Sequence, residues 1–459
     1  MASLTDREND ELLSYLTYLT ACDPLLIEPL ETPINELNAP TANEPYPLET
    51  AEEAMTLNNM FASFLCSGTR GHTIAVSGGF GADGRYHIVG AGNSGREGVR
   101  RPSDQPCAEL AQACTKFISG NTRPHNPNDV FAILVAALDI CHSHMARRLT
   151  TITTGANFVA LSTSNMGLLD NWALHLHSKF CLEAAVLEGV LERWTRKSPE
   201  NTRVAARYWQ LLQITFELWE RIENFEPIRS KRQMEDIYEF NNLFNIAKGL
   251  LLLRRFPNST RVVFDWPQGP IDNDHFWCQR DNAKMSLWRT VIEDLIKSAT
   301  GEHKLQTKMR ETWKTAIGEA QWKKAIHHTR CRIHCEIYMA LHILFSESDV
   351  RFHSFLVEGG KRVFTIGCSR ASCLACWDVL LELSRQDSDN HPILMCRTRY
   401  SLGKCYATWG LTPYREALPL SLLRAVTGPK QTHMIDSLNS AVKRSHEKFK
   451  ERVESSILM

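Results

Sequence analysis

Strand-forming sequence is scarce and widely separated in this chain of 459 residues. The first run, HTIAVSGGFGADGRYHIVGAGN at 72–93, reads as two β-rich segments flanking a turn of Gly81, Ala82, Asp83 and Gly84, a strong hairpin signal. Strands then almost vanish. Residues 105–330 carry helical patterns over about 105–119, 128–148, 167–196, 199–223, 230–254 and 281–327, with TRVVFD at 260–265 as the one plausible strand among them. No fixed period of 20–50 residues recurs, so a helical-repeat array is not expected. KRVFTIG at 361–367, a short apolar run bounded by glycines, reads as a further buried strand. The chain is therefore expected to be α/β, with a long helical middle.

Before the hairpin, residues 7–22 read as a short helix and residues 23–47 hold six prolines, a density that breaks helices and strands alike. That segment reads as a linker or a wrapping arm. A helix from about Thr50 to Cys66 follows, opened by the acids of ETAEE. Formal net charge is zero, which argues against a protein that coats nucleic acid non-specifically. The average hides an asymmetry, because residues 1–60 hold twelve Asp and Glu against the single Arg7. Part of the compensating positive charge lies at 304–332, readable either as a solvated helix face or as a phosphate-attracting wall.

No export signal is legible at the N-terminus, and FAILVAALDIC at 131–141 is too short an apolar run to span a bilayer. The expectation is an intracellular protein, cytoplasmic or nuclear. Its fourteen scattered cysteines should then be reduced thiols, free to pack or to bind metal.

The chemistry concentrates near residue 334. In HCEIYMALHILF, Ile337, Ala340, Leu341 and Leu344 form one apolar helical face, yet His334 and Glu336 stand at its mouth. Buried charges are costly unless paired or bound to a metal. Downstream, Ser372 is a fitting N-cap for a helix carrying Cys376, Val379, Leu380 and Leu383, and Cys373 and Cys376 have C-x-x-C spacing. Two thiols three apart on one helical turn can share Zn²⁺, and a helix N-terminus favours the thiolate. One His and two Cys leave the fourth tetrahedral position open, as in a catalytic site. Glu336 can then serve as proton shuttle without binding the metal. Zinc nucleobase deaminases carry this signature.

IHCEIYMALHIL with FTIGCSRASCLACWDVL resembles the deaminases widespread in filamentous fungi, relatives of bacterial effector deaminases within the cytidine-deaminase-like superfamily. RTRYSLGKCYATW at 397–409 resembles their downstream block. The resemblance implies His334, Cys373 and Cys376 as zinc ligands and Glu336 as shuttle. It also implies a deaminase-like three-layer core, a mixed sheet with helices, split by a large helical insertion. Residues 50–100 would form its first part, 101–330 the insertion, and 331–425 its second part. An acidic arm (1–49) and a C-terminal helix (426–459) would flank it. Strand 73–80 should share a sheet with 362–367, and the two motif helices should pack side by side. IVGAGN resembles the strand end where an Asn contacts substrate, which makes Asn93 a candidate. This sequence departs from the pattern at Ser372, Cys335, Tyr400 and Leu402, where Pro, Ala, Gly and His are expected.

The function implied is a zinc-dependent hydrolase of C–N bonds in cyclic amidines, acting on a nucleoside, nucleotide or short nucleic acid. Arg330 and Arg332, the cations nearest His334 in the preceding sequence, are candidate substrate contacts. The rival reading is a catalytically inactive deaminase fold, or a structural zinc closed by Cys331, Cys335 or Cys368, serving as an interaction module. A protein partner would then dock through the helical insertion. HSHMARR at 142–148 reads as helix surface rather than as a metal cluster, and Trp377 and Trp409 read as core.

Overall fold

The computed structural model describes residues 30–39, 47–68, 73–92, 105–120, 127–163, 170–225, 228, 234–266, 278–279, 297, 303, 306–307, 330–331, 334–346, 348–357, 360–383, 394–401, 426 and 428–458. In the first half, β1 (Leu30–Glu31), α1 (Ile34–Leu37) and α2 (Ala51–Leu65) precede the hairpin β2 (Ile74–Gly81) and β3 (Tyr86–Gly92). Helices follow, among the described residues α3 (Gln105–Ser119), α4 (Pro127–Thr154), α5 (Ala156–Thr163), α6 (Asn171–Leu191), α7 (Asn201–Ile222) and α8 (Glu235–Leu252). Next come β4 (Val262–Asp265), β5 (Cys278–Gln279) and β6 (Arg330–Cys331). The remainder comprises α9 (Cys335–Phe345), β7 (Val350–Phe352), β8 (Ser354–Val357), β9 (Lys361–Thr365), β10 (Gly367–Cys368), α10 (Leu374–Leu383), β11 (Leu394–Arg397), β12 (Tyr400–Ser401) and α11 (Gly428–Leu458).

The hairpin forms where its turn chemistry puts it. Gly84 adopts φ +74°, a left-handed conformation that glycine enters without steric cost, and its N–H donates to the Gly81 carbonyl at 3.0 Å. β3 pairs in parallel with β4, and β2 accepts two later segments along its outer side. β7 meets its far end through Gly79↔Phe352, and β10 its near end through Gly367↔Val76. Between them the hairpin β8–β9 emerges, and β11 joins β9 in parallel. The run 361–368 thus belongs to two sheets: residues 361–364 pair with β8, and Gly367 and Cys368 with β2. The expected sharing of one sheet by 73–80 and 362–367 is thus corrected: only Gly367 of that run pairs with β2, while β9 lies in a separate sheet with β8 and β11, linked to β2 by Ser77 Oγ donating to the Thr365 carbonyl at 3.0 Å. Strands 350–357 and 394–397 carry no expectation from the sequence; they are fixed by these pairings.

Alternation along the hairpin divides the interior. Ile74, Val76, Tyr86 and Ile88 face a core shared with α2 and helices α3 to α8. Ala75, Val89 and Ala91 face a second core with α9, α10 and α11. The sheet is consequently a wall between two helical layers, and α9 packs against α10 on the second side. α2 is buried almost all round, as an apolar helix inside a protein must be, with Glu52 and Glu53 at its less buried start. Thr50 caps it by accepting the Glu53 N–H at 3.2 Å.

Most helices lie where their periodicity predicts. α4 extends six residues beyond the expected end at 148, and α5 follows after Gly155. By length and composition α4 could cross a membrane, but it is mostly buried inside the protein. The expected helices 7–22 and 281–327 lie outside the described residues, apart from Lys297, His303, Gln306 and Thr307, which are helical. HSHMARR corrects the sequence reading in part, since His144 and Arg148 are buried. Arg148 pairs with Glu239 at 2.5 Å and donates to Ser63 Oγ, while His144 Nε2 lies 3.1 Å from its guanidinium. A buried charge is tolerated because it is paired and hydrogen-bonded. None of the described cysteine side chains forms a disulfide.

Gly367 is where α2 touches the sheet. A Cβ there would lie 2.2 Å from the Asn58 carbonyl carbon and 2.4 Å from Asn59 N, both backbone atoms. Gly367→Ala should therefore destabilise the fold by about 2–4 kcal/mol in urea unfolding. Gly189→Ala, on an open helix face with nothing within 4 Å of the added carbon, should stabilise it by up to about 1 kcal/mol.

A pH dependence follows from two buried imidazoles. Burial pushes His353 down to about 3 and His342 down to about 4, both below the ordinary value of 6.5. The unfolded chain therefore binds protons first on acidification. Their contribution to stability should be complete above about pH 6.5 and fall progressively towards pH 3–4. Urea midpoints measured between pH 7 and pH 4.5 should decline, and His353→Phe should flatten that decline.

Candidate metal centre

Two helix N-termini converge on one point. His334 is the N-cap of α9, with extended backbone (φ −81°, ψ 153°) and a carbonyl that accepts the Tyr338 N–H at 3.2 Å. Its imidazole makes no capping bond. α10 begins at Leu374, one residue later than a Ser372 cap would require. Cys373 takes the cap position: its carbonyl accepts the Trp377 N–H at 3.0 Å and its Sγ accepts the Cys376 N–H at 3.3 Å. The expected role of Ser372 is thus corrected, and its hydroxyl donates instead to Thr398 Oγ1 at 2.8 Å.

Cys373 Sγ lies 3.4 Å from His334 Nδ1, and one ligand atom each from His334, Cys373 and Cys376 lie within 4.8 Å of one another. All three residues are buried. With Zn–S near 2.3 Å and Zn–N near 2.05 Å, tetrahedral ligands stand about 3.5 Å apart. One imidazole nitrogen and two thiols, one pair at that spacing and none beyond 4.8 Å, fit zinc in chemistry and lie close enough to share it. Burial alone would raise the Cys373 thiol. Hydrogen bonding with Cys376 and the charge and hydrogen bond of His334 outweigh that, and hold it below its ordinary value. The thiolate, the form that binds metal, is thereby favoured.

Glu336 lies in the first turn of α9, 2% exposed. Its Oε2 is 3.8 Å from Cys376 Sγ and accepts from Cys335 Sγ at 3.3 Å. Among the described residues it adjoins the three-ligand group without joining it. Cys335 and Cys368, considered above as closing ligands, are buried thiols outside that group. Burial drives the Cys368 thiol well up, and the nearby Glu336 charge adds to this.

Of the remaining candidates, Trp377 is buried as expected. Asn93, Arg332, Leu402 and Trp409 lie outside the described residues; β3 ends at Gly92. The backbones of Arg330 and Cys331 pair with Gln279 and Cys278. The centre also rests on residues that local pattern could not single out. Asn59 Oδ1 accepts the Cys368 N–H at 2.9 Å, and Arg148 donates to the Ser369 carbonyl at 3.1 Å. Both reach the loop before Cys373 from more than 200 positions away in sequence.

Residues 333–413, less than a fifth of the chain, match the family model described as OTT_1508-like deaminase. That span contains His334, Glu336, Cys373 and Cys376, and relates this part of the chain to deaminases. No curated protein and no solved structure matches the chain.

Metal analysis checks whether this group holds an ion. One Zn²⁺ per chain should be retained by the purified protein, and His334→Ala, Cys373→Ser or Cys376→Ser should each abolish it. Cys335→Ser and Cys368→Ser should keep it; loss of zinc in either would mean a closed, four-ligand site.

Proposed function

We propose that the chain is a zinc-dependent hydrolytic deaminase acting on a nucleobase. A single observation carries this reading: a buried carboxylate, Glu336, adjoins a His–Cys–Cys group without being part of it. A structural zinc has no use for such a carboxylate, whereas hydrolytic deamination needs a group to move protons beside the nucleophile. The deaminase match over 333–413 supports the same class.

His334 Nδ1, Cys373 Sγ and Cys376 Sγ would hold the ion. When bound, zinc brings the pKa of a water towards neutrality and so supplies a nucleophile. Glu336 then takes a proton from the attacking water, returns it to a ring nitrogen, and delivers the next to the departing ammonia. Its burial keeps the carboxylate in a fixed place, and the Cys335 thiol donates to the same oxygen that faces Cys376. The two helix N-termini stabilise negative charge on the thiolates and on the carboxylate in the first turn of α9.

In this reading residues 50–100 and 331–425 form one deaminase-like core, and 101–330 are inserted between them. Supporting it, α9 packs against β2 and β3, and Gly367 and Cys368 pair with β2. The substrate is a nucleoside, nucleotide or short nucleic acid. Asn93, Arg330 and Arg332 are its proposed contacts, on the resemblance for the first and nearness to His334 in the sequence for the others.

Ammonia release screened across nucleosides, nucleotides and single-stranded nucleic acids should identify the substrate. Glu336→Gln should retain the zinc and the thermal midpoint while losing turnover by roughly 10²–10⁴-fold. A Glu336→Gln protein as active as wild type would remove the proton-shuttle role and with it the catalytic reading.

A further inference from the structure

We propose that Thr32, in the N-terminal arm, is a positioning residue for the metal-binding loop, acting through Thr398 and Ser372 on Cys373. The proposal rests on the reading of His334, Cys373 and Cys376 as a zinc site. Ser372 immediately precedes a ligand, yet α10 starts only at Leu374 and cannot hold it. It is held from outside instead. Its N–H donates to the Tyr400 carbonyl at 3.0 Å, its hydroxyl donates to Thr398 Oγ1 at 2.8 Å, and it forms a parallel bridge with Ser401. A proline at this position could make neither hydrogen bond.

Segment 398–401 is in turn gripped from its other side by the arm. Thr32 Oγ1 donates to the Thr398 carbonyl at 2.5 Å, and Thr32 N–H donates to the Arg399 carbonyl at 3.1 Å. β1 pairs antiparallel with β12, Leu30 opposite Ser401 and Glu31 opposite Tyr400. Glu36 completes the grip by accepting from Arg397 Nε at 2.8 Å. Residues 30–32, 398–401 and 372 therefore lie side by side as three short pieces of one bonded array, with a ligand at its inner edge. Thr32, Thr398, Ser372 and Ser401 are each at most 2% exposed, so water cannot replace a bond lost among them. Cys373 Sγ must be held near 3.4 Å from His334 Nδ1, and partners standing behind metal ligands commonly tune affinity by about 10–100-fold. The arm is thus part of the centre's support.

The test uses the full chain. Thr32→Val keeps the volume and deletes the hydroxyl, Thr32→Ser restores it, and Ser372→Ala cuts the link at the ligand end. Zinc affinity is read by chelator competition, and the geometry of the thiolates by the absorption bands of the cobalt(II)-loaded protein. Thr32→Val and Ser372→Ala should each weaken zinc by about tenfold and shift the cobalt bands. The double variant should lose little more than either alone, because both break one chain of bonds. Thr32→Ser should return the wild-type affinity and spectrum, which a general loss of stability would not explain. If the wild type binds one zinc and both single variants match its affinity and its cobalt spectrum, the proposal is overturned. Should Thr32→Val fail to fold, Ser372→Ala decides by the same two readings. A wild type that binds no zinc overturns the underlying metal reading as well.

Discussion

Packing an imidazole, two thiols and a carboxylate into one small, dry volume is the demand that the rest of the structure answers. Each group would lose hydration on burial, and an isolated charge there would cost far more than a folded domain can spare. Compensation comes from their mutual arrangement. Cys373 is lowered by Cys376 and His334, Glu336 accepts from Cys335, and the first turns of α9 and α10 supply N–H groups and partial positive charge. A metal ion is the remaining term that would offset two thiolates. The centre is therefore only as well formed as the meeting of those two helix starts.

That meeting depends on the sheet. α9 and α10 lie on one face of the β2–β3 hairpin and share a core with it through Ala75, Val89 and Ala91. On the other face α2 presses against Gly367 so closely that no side chain fits. Asn58 donates to Thr365 and Asn59 accepts from Cys368, so α2 also binds the strand that leads into the loop before Cys373. Behind it the helical layer reaches the same loop through Arg148 and Ser369. The hairpin, α2 and the helices after it are thus the mechanical support of a centre that lies more than 180 residues downstream of Arg148.

α11 closes the second face. Met434, Leu438, Val442 and Phe449 enter the core beneath α9 and α10. Its cations meet two nearly inaccessible carboxylates of α10: Arg444 and Lys448 pair with Glu382, and Arg452 with Asp378. Buried carboxylates are affordable on α10 only with those partners, and burial still holds Asp378 above its usual range despite Arg452. The C-terminal helix is consequently part of the core.

Local pattern was enough for the hairpin, for most helices within a few residues, and for His334, Glu336, Cys373 and Cys376 as one constellation. Those signals are short-range: a glycine turn, a 3.6-residue period, ligands at fixed spacing on one helical turn. Pattern also suggested Ser372 as a cap, and here tertiary contact won. The hydroxyl found Thr398, and the sulfur of Cys373 took the cap. HSHMARR departs in part from a surface reading because burial of His144 and Arg148 depends on Glu239 and Ser63, neither of them near in sequence. The sequence by itself determined which side chains make up the candidate centre, because that depends on their type and spacing. Only the tertiary structure decided what holds them: Gly367 under α2, Arg148 on Ser369, and the arm beside 398–401. Those are pairings across hundreds of residues, where closing the chain costs entropy and no local period records which partner repays it.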